Sequence, residues 1–309
     1  MNGTPITRSV RYSVLTDPGA QDLNEDSCAA VDLGGTVAIL VADGVGGQAR
    51  GEVASQLVIE TARAYLVANV SSQPPADLLR GAFGRAQHAM RDQIEASARF
   101  RTMRTTLLIA LLGPDGFRIG HVGDCRAYLV RNASLEQLTR DDTFVQMLVD
   151  MGELDREGAR THSKSNVLTQ SMGDATDLDI HIGDHHSAAP GDTLVVCSDG
   201  LSDVLDDAAV IANARAASPD LACEALLREA LARKAQDNVT VAVAEWRHTS
   251  LPPAALERAG RGKKKKRRND AFLFVALAAL VLVAVAIGAS VAKRRSPTVE
   301  PRPTPIETH

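Results

Sequence analysis

Aromatic residues make up only 3% of the 309-residue chain, so its hydrophobic core must consist mainly of Ala, Val, Leu and Ile. Cysteine is equally scarce, and the four present form no C-x-x-C pair. Three of them lie in apolar, strand-like runs, which predicts buried free thiols in a reducing compartment. Residues 1–13 contain no apolar core, so we expect no secretory signal peptide.

The larger part of the chain, residues 1–256, has fewer basic than acidic residues. The chain has 34 basic and 38 acidic residues, and 12 of the basic and 4 of the acidic ones lie in residues 257–309. Residues 1–256 therefore contain 22 basic and 34 acidic residues, a net charge of −12. An acidic body of this kind is not typical of a nucleic-acid-binding protein, and we expect no nucleic-acid partner. The surplus of carboxylates is compatible with a metal site.

Residues 271–292 contain no charged side chain. A helix of this length reaches about 33 Å, enough to cross a hydrocarbon core of about 30 Å. The segment therefore predicts one C-terminal transmembrane helix, and a buried core helix is the weaker alternative. Six basic residues precede it at 263–268, against three after it at 293–295. The larger cluster predicts a single-pass protein of the plasma (inner) membrane, with a cytoplasmic N-terminal body and contacts to anionic lipid.

These features divide the chain into four predicted parts. They are a globular domain at 1–247, a linker with the polybasic cluster at 248–270, the membrane helix at 271–292 and a short disordered tail at 293–309. Within the globular domain, apolar runs typical of strands and segments of helical periodicity occur in separate blocks. This pattern favours an α+β fold over repeating βαβ units.

Acidic residues recur in turns at which apolar strands are predicted to end. The positions are Glu25-Asp26, Asp43, Asp124, Asp199 and Asp237. Each alone is a common turn residue, but strand ends can meet at one edge of a sheet, where several carboxylates repel one another unless cations hold them. Oxygen ligands without cysteine favour Mg²⁺ or Mn²⁺ over zinc, and Gly44 and Gly200 would let the backbone approach an ion. The pattern is typical of metal-assisted hydrolysis.

At these residues the sequence resembles the metal-dependent protein phosphatases, the type 2C serine/threonine phosphatases, in their bacterial, membrane-anchored form. Seven motifs in the expected order carry the resemblance, and together they are far more specific than a single motif. They are NED at 24–26, ADGVGG at 42–47, TT at 105–106, HVGDCRAYL at 121–129, LTRDD at 138–142, CSDGL at 197–201 and DNVT at 237–240.

The resemblance implies a central β-sandwich of two antiparallel sheets flanked by helices, and a centre with two Mn²⁺ or Mg²⁺ ions. Asp43, Asp199 and Asp237 would be the catalytic residues, with Asp43 bridging both ions. The remaining implied ligands are Glu25 and the Gly44 carbonyl at one ion, Asp199 and Asp237 at the other, Asp26 through bound water, and Asp124 with Asp199 at a third, weaker site.

The implied reaction is hydrolysis of phosphoserine and phosphothreonine by metal-activated water, without a phospho-enzyme. The expected partners are phosphoproteins, including a serine/threonine kinase that the enzyme would oppose at the membrane. Two alternatives stay open: a catalytically weakened, membrane-tethered phosphoprotein-binding regulator, and a phosphatase that acts on one regulatory protein such as a sigma-factor antagonist.

Three positions depart from the pattern of many family members. Gln21 stands where an Arg commonly grips the substrate phosphate, and Gln lacks the charged bidentate fork. Arg104 precedes the Thr pair in place of Gly and is a candidate replacement, although a solvated Arg is the simpler interpretation. Val45 occupies the place of a possible general acid, which leaves that role unassigned. Residues 141–186 are expected to form a flap over the site.

Overall fold

The computed structural model of this protein describes residues 6–45, 50–175 and 177–250. The predicted membrane helix, the polybasic cluster and the tail lie outside these residues. Among the residues that are described, no helix is both long enough and apolar enough to cross a membrane.

Strands outnumber helices in the described part of the chain. In chain order they are β1 (Ile6–Asp17), β2 (Ser27–Asp32), β3 (Val37–Ala42), β4 (Gly44–Val45), β5 (Arg104–Thr105), β6 (Leu107–Gly113), β7 (Gly116–Val122), β8 (Arg126–Arg131), β9 (Ser134–Gln137), β10 (His181–Ile182), β11 (His186–Ser187), β12 (Thr193–Cys197) and β13 (Val239–Ser250).

The helices fall into two long ones, two of intermediate length and three short ones. They are α1 (Gly51–Asn69), α2 (Pro75–Ala96), α3 (Phe144–Asp150), α4 (Arg156–Thr161), α5 (Asp199–Ser202), α6 (Asp207–Ala214) and α7 (Pro219–Ala232).

Two main sheets pack against each other. One has the strand order β1-β13-β12-β8-β9, and the other has the order β10-β7-β6-β3-β2 with β11 also paired to β7. The recorded pairings within both sheets are antiparallel. A short third pair, β4 with β5, joins Gly44 to Thr105 beside the second sheet. The predicted α+β fold, with sheets flanked by helices, is confirmed in this part of the chain.

Alternate residues of the central strands enter different cores. In β3, Ile39 and Val41 pack between the sheets, whereas Leu40 belongs to the core under α1 and α2. In β12, Val196 lies between the sheets and Val195 lies in the core under α6 and α7. Because both faces are covered, these strands read as continuous apolar runs and not as alternating ones.

Few aromatic side chains are needed because small aliphatic residues fill most of this layered core. The single Trp, Trp246, is fully buried between the sheets, and its indole N–H donates to the carbonyl of Gly113 at 2.8 Å. Phe117 packs against it with ring centroids 5.5 Å apart. A buried indole needs such a hydrogen bond, so the pair closes one end of the core without an unsatisfied donor.

Candidate metal centre

The acidic strand ends converge on one cavity of about 410 Å³. Asp43 and Asp124 follow the ends of β3 and β7, Asp199 follows β12, and Asp237 and Glu25 precede β13 and β2. The residues that line the cavity are Gln21, Asp22, Leu23, Glu25, Asp43, Gly44, Val45, Asp124, Asn166, Leu168, Asp199, Asp237 and Asn238. Of the predicted ligands, Asp26 alone does not line it.

Two threonines hold the backbone of Asp43: Thr105, the last residue of β5, and Thr106, which follows it. Thr106 accepts the Asp43 N–H through Oγ1 at 2.9 Å, and its own N–H donates to the Asp43 carbonyl at 2.9 Å. Thr105 Oγ1 donates to the same carbonyl at 2.7 Å. Both threonines are fully buried. These bonds fix the direction in which the Asp43 carboxylate leaves the sheet.

Gly44 is required by close packing next to Asp43. A Cβ atom at this position would approach the Glu25 carbonyl at 2.6 Å and would also clash with the Gly51 carbonyl. Any other residue would push apart the backbone segments that carry Glu25 and Asp43. The absence of a side chain therefore keeps these two carboxylates on the same cavity.

Asn238 joins the loop before β2 to the start of β13. Its Oδ1 accepts the N–H of Glu25 at 2.7 Å, and its Nδ2 donates to the carbonyls of Pro18 and Leu23 at 2.9 and 3.0 Å. Its own N–H donates to Asp237 Oδ1 at 2.8 Å. One buried amide therefore sets the position of Glu25 relative to Asp237.

Asp26 lies behind the cavity in a buried hydroxyl network. Ser198 Oγ donates to Asp26 Oδ2 at 2.7 Å and accepts the N–H of Thr240 at 3.0 Å. Burial raises the pKa of Asp26 to about 7, and the charges of Asp199 and Asp237 act in the same direction. Asp26 is therefore placed to support the cavity through Ser198 and not by facing it.

The cavity carboxyl groups have perturbed acidity. Burial raises the pKa of Asp43 well above its ordinary value, and the charge of Asp199 adds to this. Burial also raises the pKa of Asp124, again with a contribution from Asp199. The pKa of Asp199 is raised to about 6, first by burial and then by the charge of Asp203. Such a cluster ionises fully only when positive charge joins it.

The residues fit hard divalent cations by composition and by environment. No Lys, Arg or His of the described residues lines the cavity. The Oδ1 atom of Asp199 is buried with no hydrogen-bond partner, which is costly unless a cation approaches it. In the described ranges, however, no three His, Cys, Asp or Glu side chains form a group that could hold an ion as they stand.

A family comparison agrees with this site. The model of the family described as protein phosphatase 2C matches residues 19–246, well over half of the chain. The chain belongs to the protein phosphatase 2C family. The match includes all seven motifs and ends at Trp246, the last residue of the packed core.

The serine/threonine protein phosphatase PstP of Mycobacterium tuberculosis is a similar member of this family. It is 36% identical over 245 residues, which are 78% of this chain but 46% of PstP. This chain therefore spans less than half the length of these curated relatives. The serine/threonine phosphatase stp of Listeria welshimeri is 28% identical over 215 residues, covering 67% of this chain and 83% of that protein.

Solved protein phosphatase 2C structures share the fold. The crystal structure of PstP/Ppp from M. tuberculosis aligns with a TM-score of 0.71 at 34% identity, covering 77% of this chain and 99% of that chain. A structure of the PstP catalytic domain in complex with 2 manganese ions aligns with a TM-score of 0.70 at 33% identity, covering 78% of this chain and all of that one.

The two predicted phosphate ligands differ in placement. Gln21 lines the cavity, and its Nε2 donates to the Gln236 carbonyl at 2.8 Å. Arg104 does not line it: its Nε donates to Asp174 Oδ1 at 2.8 Å, and its Nη1 donates to the carbonyl of Met103 at 2.8 Å. These contacts direct the guanidinium away from the cavity, so a phosphate-binding role for Arg104 stays a prediction that its surroundings do not favour.

The predicted flap, residues 141–186, contains the short helices α3 and α4 and contributes Asn166 and Leu168 to the cavity. Isolated bridges pair Thr143 with Leu168 and Thr105 with Met172. His121 does not line the cavity: its Nε2 lies 2.9 Å from the Arg140 carbonyl, and its ring stacks on a neighbouring histidine. Whether this segment opens and closes stays a prediction.

Several residues that shape the site were not predicted from the sequence. Ser198, Thr106 and Asn238 lie within the motifs, and each either neighbours a strand-end aspartate in the sequence or hydrogen-bonds to one. Asn166 and Leu168 carry no motif signal, because they reach the cavity only through the path of the 141–186 segment.

Proposed function

We propose that this chain is a serine/threonine protein phosphatase that hydrolyses phosphoserine and phosphothreonine at a centre of two Mn²⁺ or Mg²⁺ ions. One observation carries the proposal. In a protein phosphatase 2C domain, six acidic side chains line a single cavity, and no Lys, Arg or His of the described residues lines it with them. The related PstP catalytic domain has been crystallised with 2 manganese ions, which supports the same type of centre here.

The ligand assignment is the one that the family resemblance implies, and the convergence of these side chains on one cavity supports it. Asp43 would be shared by both ions, Glu25 and the Gly44 carbonyl would hold one, and Asp199 and Asp237 would hold the other. Asp124 with Asp199 would hold a third, weaker ion. When bound, the ions supply Lewis-acid activation of water and neutralise charge on the phosphoryl group.

The chain itself contributes rigid positioning. Thr105 and Thr106 orient Asp43, and Asn238 fixes Glu25 against Asp237, so little reorganisation is needed during the reaction. The described lining includes no Ser, Thr, Cys or His that could act as a nucleophile. This composition supports direct attack by water over a covalent enzyme intermediate at such a side chain.

Membrane tethering is a separate part of the proposal. We propose that residues 271–292 span the plasma (inner) membrane and that the basic residues at 263–268 hold the phosphatase domain on the cytoplasmic face. There the phosphatase would counteract a serine/threonine kinase at the membrane. The uncharged run and the unequal basic flanks support this arrangement. The full chain should remain in the membrane fraction after alkaline carbonate extraction, and deletion of 271–292 should release it. Release of the full chain by carbonate would refute the span.

The activity is tested with the full chain in mild detergent. With Mn²⁺ it should release phosphate from a phosphothreonine peptide, and a chelator should stop the reaction until Mn²⁺ is restored. Asp92→Asn, a change at an exposed side chain of α2 outside the cavity and the predicted flap, is the control for substitutions in the cavity and should keep full activity. If the peptide binds but no phosphate is released at any Mn²⁺ concentration, the weakened regulator, which Gln21 favours, replaces the enzyme.

A further inference from the structure

The catalytic cavity carries more negative charge than two divalent ions neutralise. Six carboxyl groups line it, and they are Asp22, Glu25, Asp43, Asp124, Asp199 and Asp237. Two divalent ions contribute four positive charges, and an ion at the weaker third site would bring the total only to six. A phosphomonoester then adds about 1.5 to 2 negative charges. Some positive charge must therefore come from a further source for the substrate to bind well.

Described arginines that flank the segments lining the cavity already face acidic partners. Arg50, which precedes Gly51 next to Glu25, lies 3.9 Å from Glu52. Arg126 donates from Nη2 and Nε to Asp141 Oδ2 at 2.6 and 2.9 Å, and Arg104 is paired with Asp174. Arg160 of α4 acts on Asp203 and Asp206, neither of which lines the cavity. Residues 46–49, which follow Val45 in the sequence, include no Lys or Arg.

The entrance of the cavity combines acidic and apolar side chains. We define the rim as the exposed lining residues Gln21, Asp22, Leu23, Val45, Asn166 and Asp237, together with the partly exposed Leu168. Leu23 is 52% exposed and Val45 is 37% exposed. A peptide bound through its phosphate would place its neighbouring side chains on this rim and not on the floor. Lys and Arg suit such a surface, because their aliphatic stems can cover Leu23 and Val45 while their charged ends reach a carboxylate.

We propose that the substrates of this site are phosphoproteins whose phosphorylated Ser or Thr is flanked by Lys or Arg, and that Asp22 is the specificity-determining residue of the rim. This inference rests on the proposed phosphatase function. Asp22 is the best candidate because it is exposed, lines the cavity and is not among the predicted metal ligands. Basic side chains of the substrate supply the positive charge that the cavity lacks.

The main experiment compares three phosphothreonine peptides of equal length, flanked by Lys, Gln or Glu, with the full chain and saturating Mn²⁺. At low salt, kcat/KM should be about tenfold higher for the Lys peptide than for the Glu peptide, and the ratio should shrink toward about twofold at 0.5 M salt. Hydrolysis of p-nitrophenyl phosphate, which has no flanking residues, reports the basic activity separately. Equal or higher kcat/KM for the Glu peptide, with p-nitrophenyl phosphate still hydrolysed, would overturn the preference. Loss of both activities would instead refute the proposed function.

Variants locate the preference on the rim. Asp22→Lys should abolish the advantage of the Lys peptide, and Asp22→Asn should reduce it by about half on a logarithmic scale. Asp92→Lys makes the same charge change at an exposed side chain of α2, outside the cavity and the predicted flap, and should leave the ratio intact. If Asp92→Lys lowers the ratio as much as Asp22→Lys does, the preference reflects overall charge and the assignment to the rim is wrong.

A binding measurement avoids catalysis altogether. Without metal, the protein should bind a fluorescent, unphosphorylated Lys-flanked peptide more tightly than its Glu-flanked counterpart, as judged by anisotropy. Asp22→Lys should weaken this binding at least threefold. Equal anisotropy curves for the two peptides would count against the proposal, whatever the kinetic result.

Discussion

Two groups of aspartates in this protein are equally buried but differ in their partners. Asp124, at the cavity, is 8% exposed and contacts no cation, whereas Asp141 and Asp192 are 6% and 4% exposed and each accepts a bidentate pair of bonds from an arginine. Arg126 donates to Asp141 at 2.6 to 3.1 Å, and Arg131 donates to Asp192 at 2.7 and 3.0 Å.

The pKa values of Asp124 and Asp192 shift in opposite directions because only Asp192 is paired with an arginine. Burial raises the pKa of Asp124, and the charge of Asp199 raises it further, despite the opposing charge of Arg126. Burial also acts to raise the pKa of Asp192, but hydrogen bonds from Arg131 and the Ala189 N–H outweigh it, so the pKa is lowered. The protein therefore satisfies its structural aspartates internally and leaves its cavity aspartates for cations from solution.

The largest effect is expected from removing a cavity carboxylate. Asp43→Asn should lower kcat/KM by at least about 1,000-fold, or about 4 kcal/mol, because the predicted bridging ligand is lost. Manganese affinity by isothermal titration calorimetry should fall in parallel. Metal-free stability should stay the same or rise, since a repelling charge has gone. A metal-free variant that unfolds more easily than the wild type would place Asp43 with the structural aspartates instead.

Removing a carboxylate that is paired with an arginine should lower the stability of the metal-free protein. Asp141→Ala leaves Arg126 without its bidentate partner, and we expect a loss of about 3 kcal/mol in the free energy of unfolding. Urea denaturation of the metal-free protein measures this loss. The double variant Asp141→Leu with Arg126→Met removes both charges and should recover much of the stability. If the single variant is as stable as the wild type, the pair contributes little.

The stability of the metal-free protein should depend on pH through the unpaired carboxyl groups in and behind the cavity. The pKa values of Asp199 and Asp26 are raised to about 6 and about 7, from an ordinary value of 3.8. The stability linked to their protonation is fully present below pH 3.8 and is lost as pH rises through these folded values. We expect roughly 4 kcal/mol less stability at pH 8 than at pH 5.

Saturating Mn²⁺ should reduce this slope, because bound cations favour the ionised carboxylates. Chemical denaturation across the pH range, with and without Mn²⁺, is the measurement. Metal-free protein that becomes more stable between pH 5 and pH 8 would contradict the assignment of unpaired carboxyl groups.

The smallest effect is expected at the second paired aspartate. Asp192→Asn keeps the shape of the side chain but weakens the pair with Arg131, which is partly exposed, so the free energy of unfolding should fall by only about 1 kcal/mol. Because the pKa of Asp192 is lowered, this contribution is present above its ordinary pKa and is lost as pH falls below it. Activity should not change, and a clear loss of kcat/KM would imply an unrecognised link to the cavity.

Much of the secondary structure could be predicted from local patterns. The apolar runs that became β3, β6 and β12, and the helical periodicity that became α1 and α2, were visible because each pattern lies within a few consecutive residues. The short helices α3 and α4 and the small β4–β5 pair were not predicted. Their residues are polar or few, and contacts with distant segments determine their conformation.

The sequence by itself determined where acidic residues follow apolar strands, and the ordered motifs indicated the family. Only the tertiary structure decided which aspartates are paired. Asp141 and Asp199 both come within four residues after the end of a strand, yet one meets Arg126, 15 residues away, and the other has an unpartnered buried oxygen. Asp192 meets Arg131, 61 residues away. Pairing depends on distances through space between strands that are far apart in the chain, and no local pattern encodes those distances.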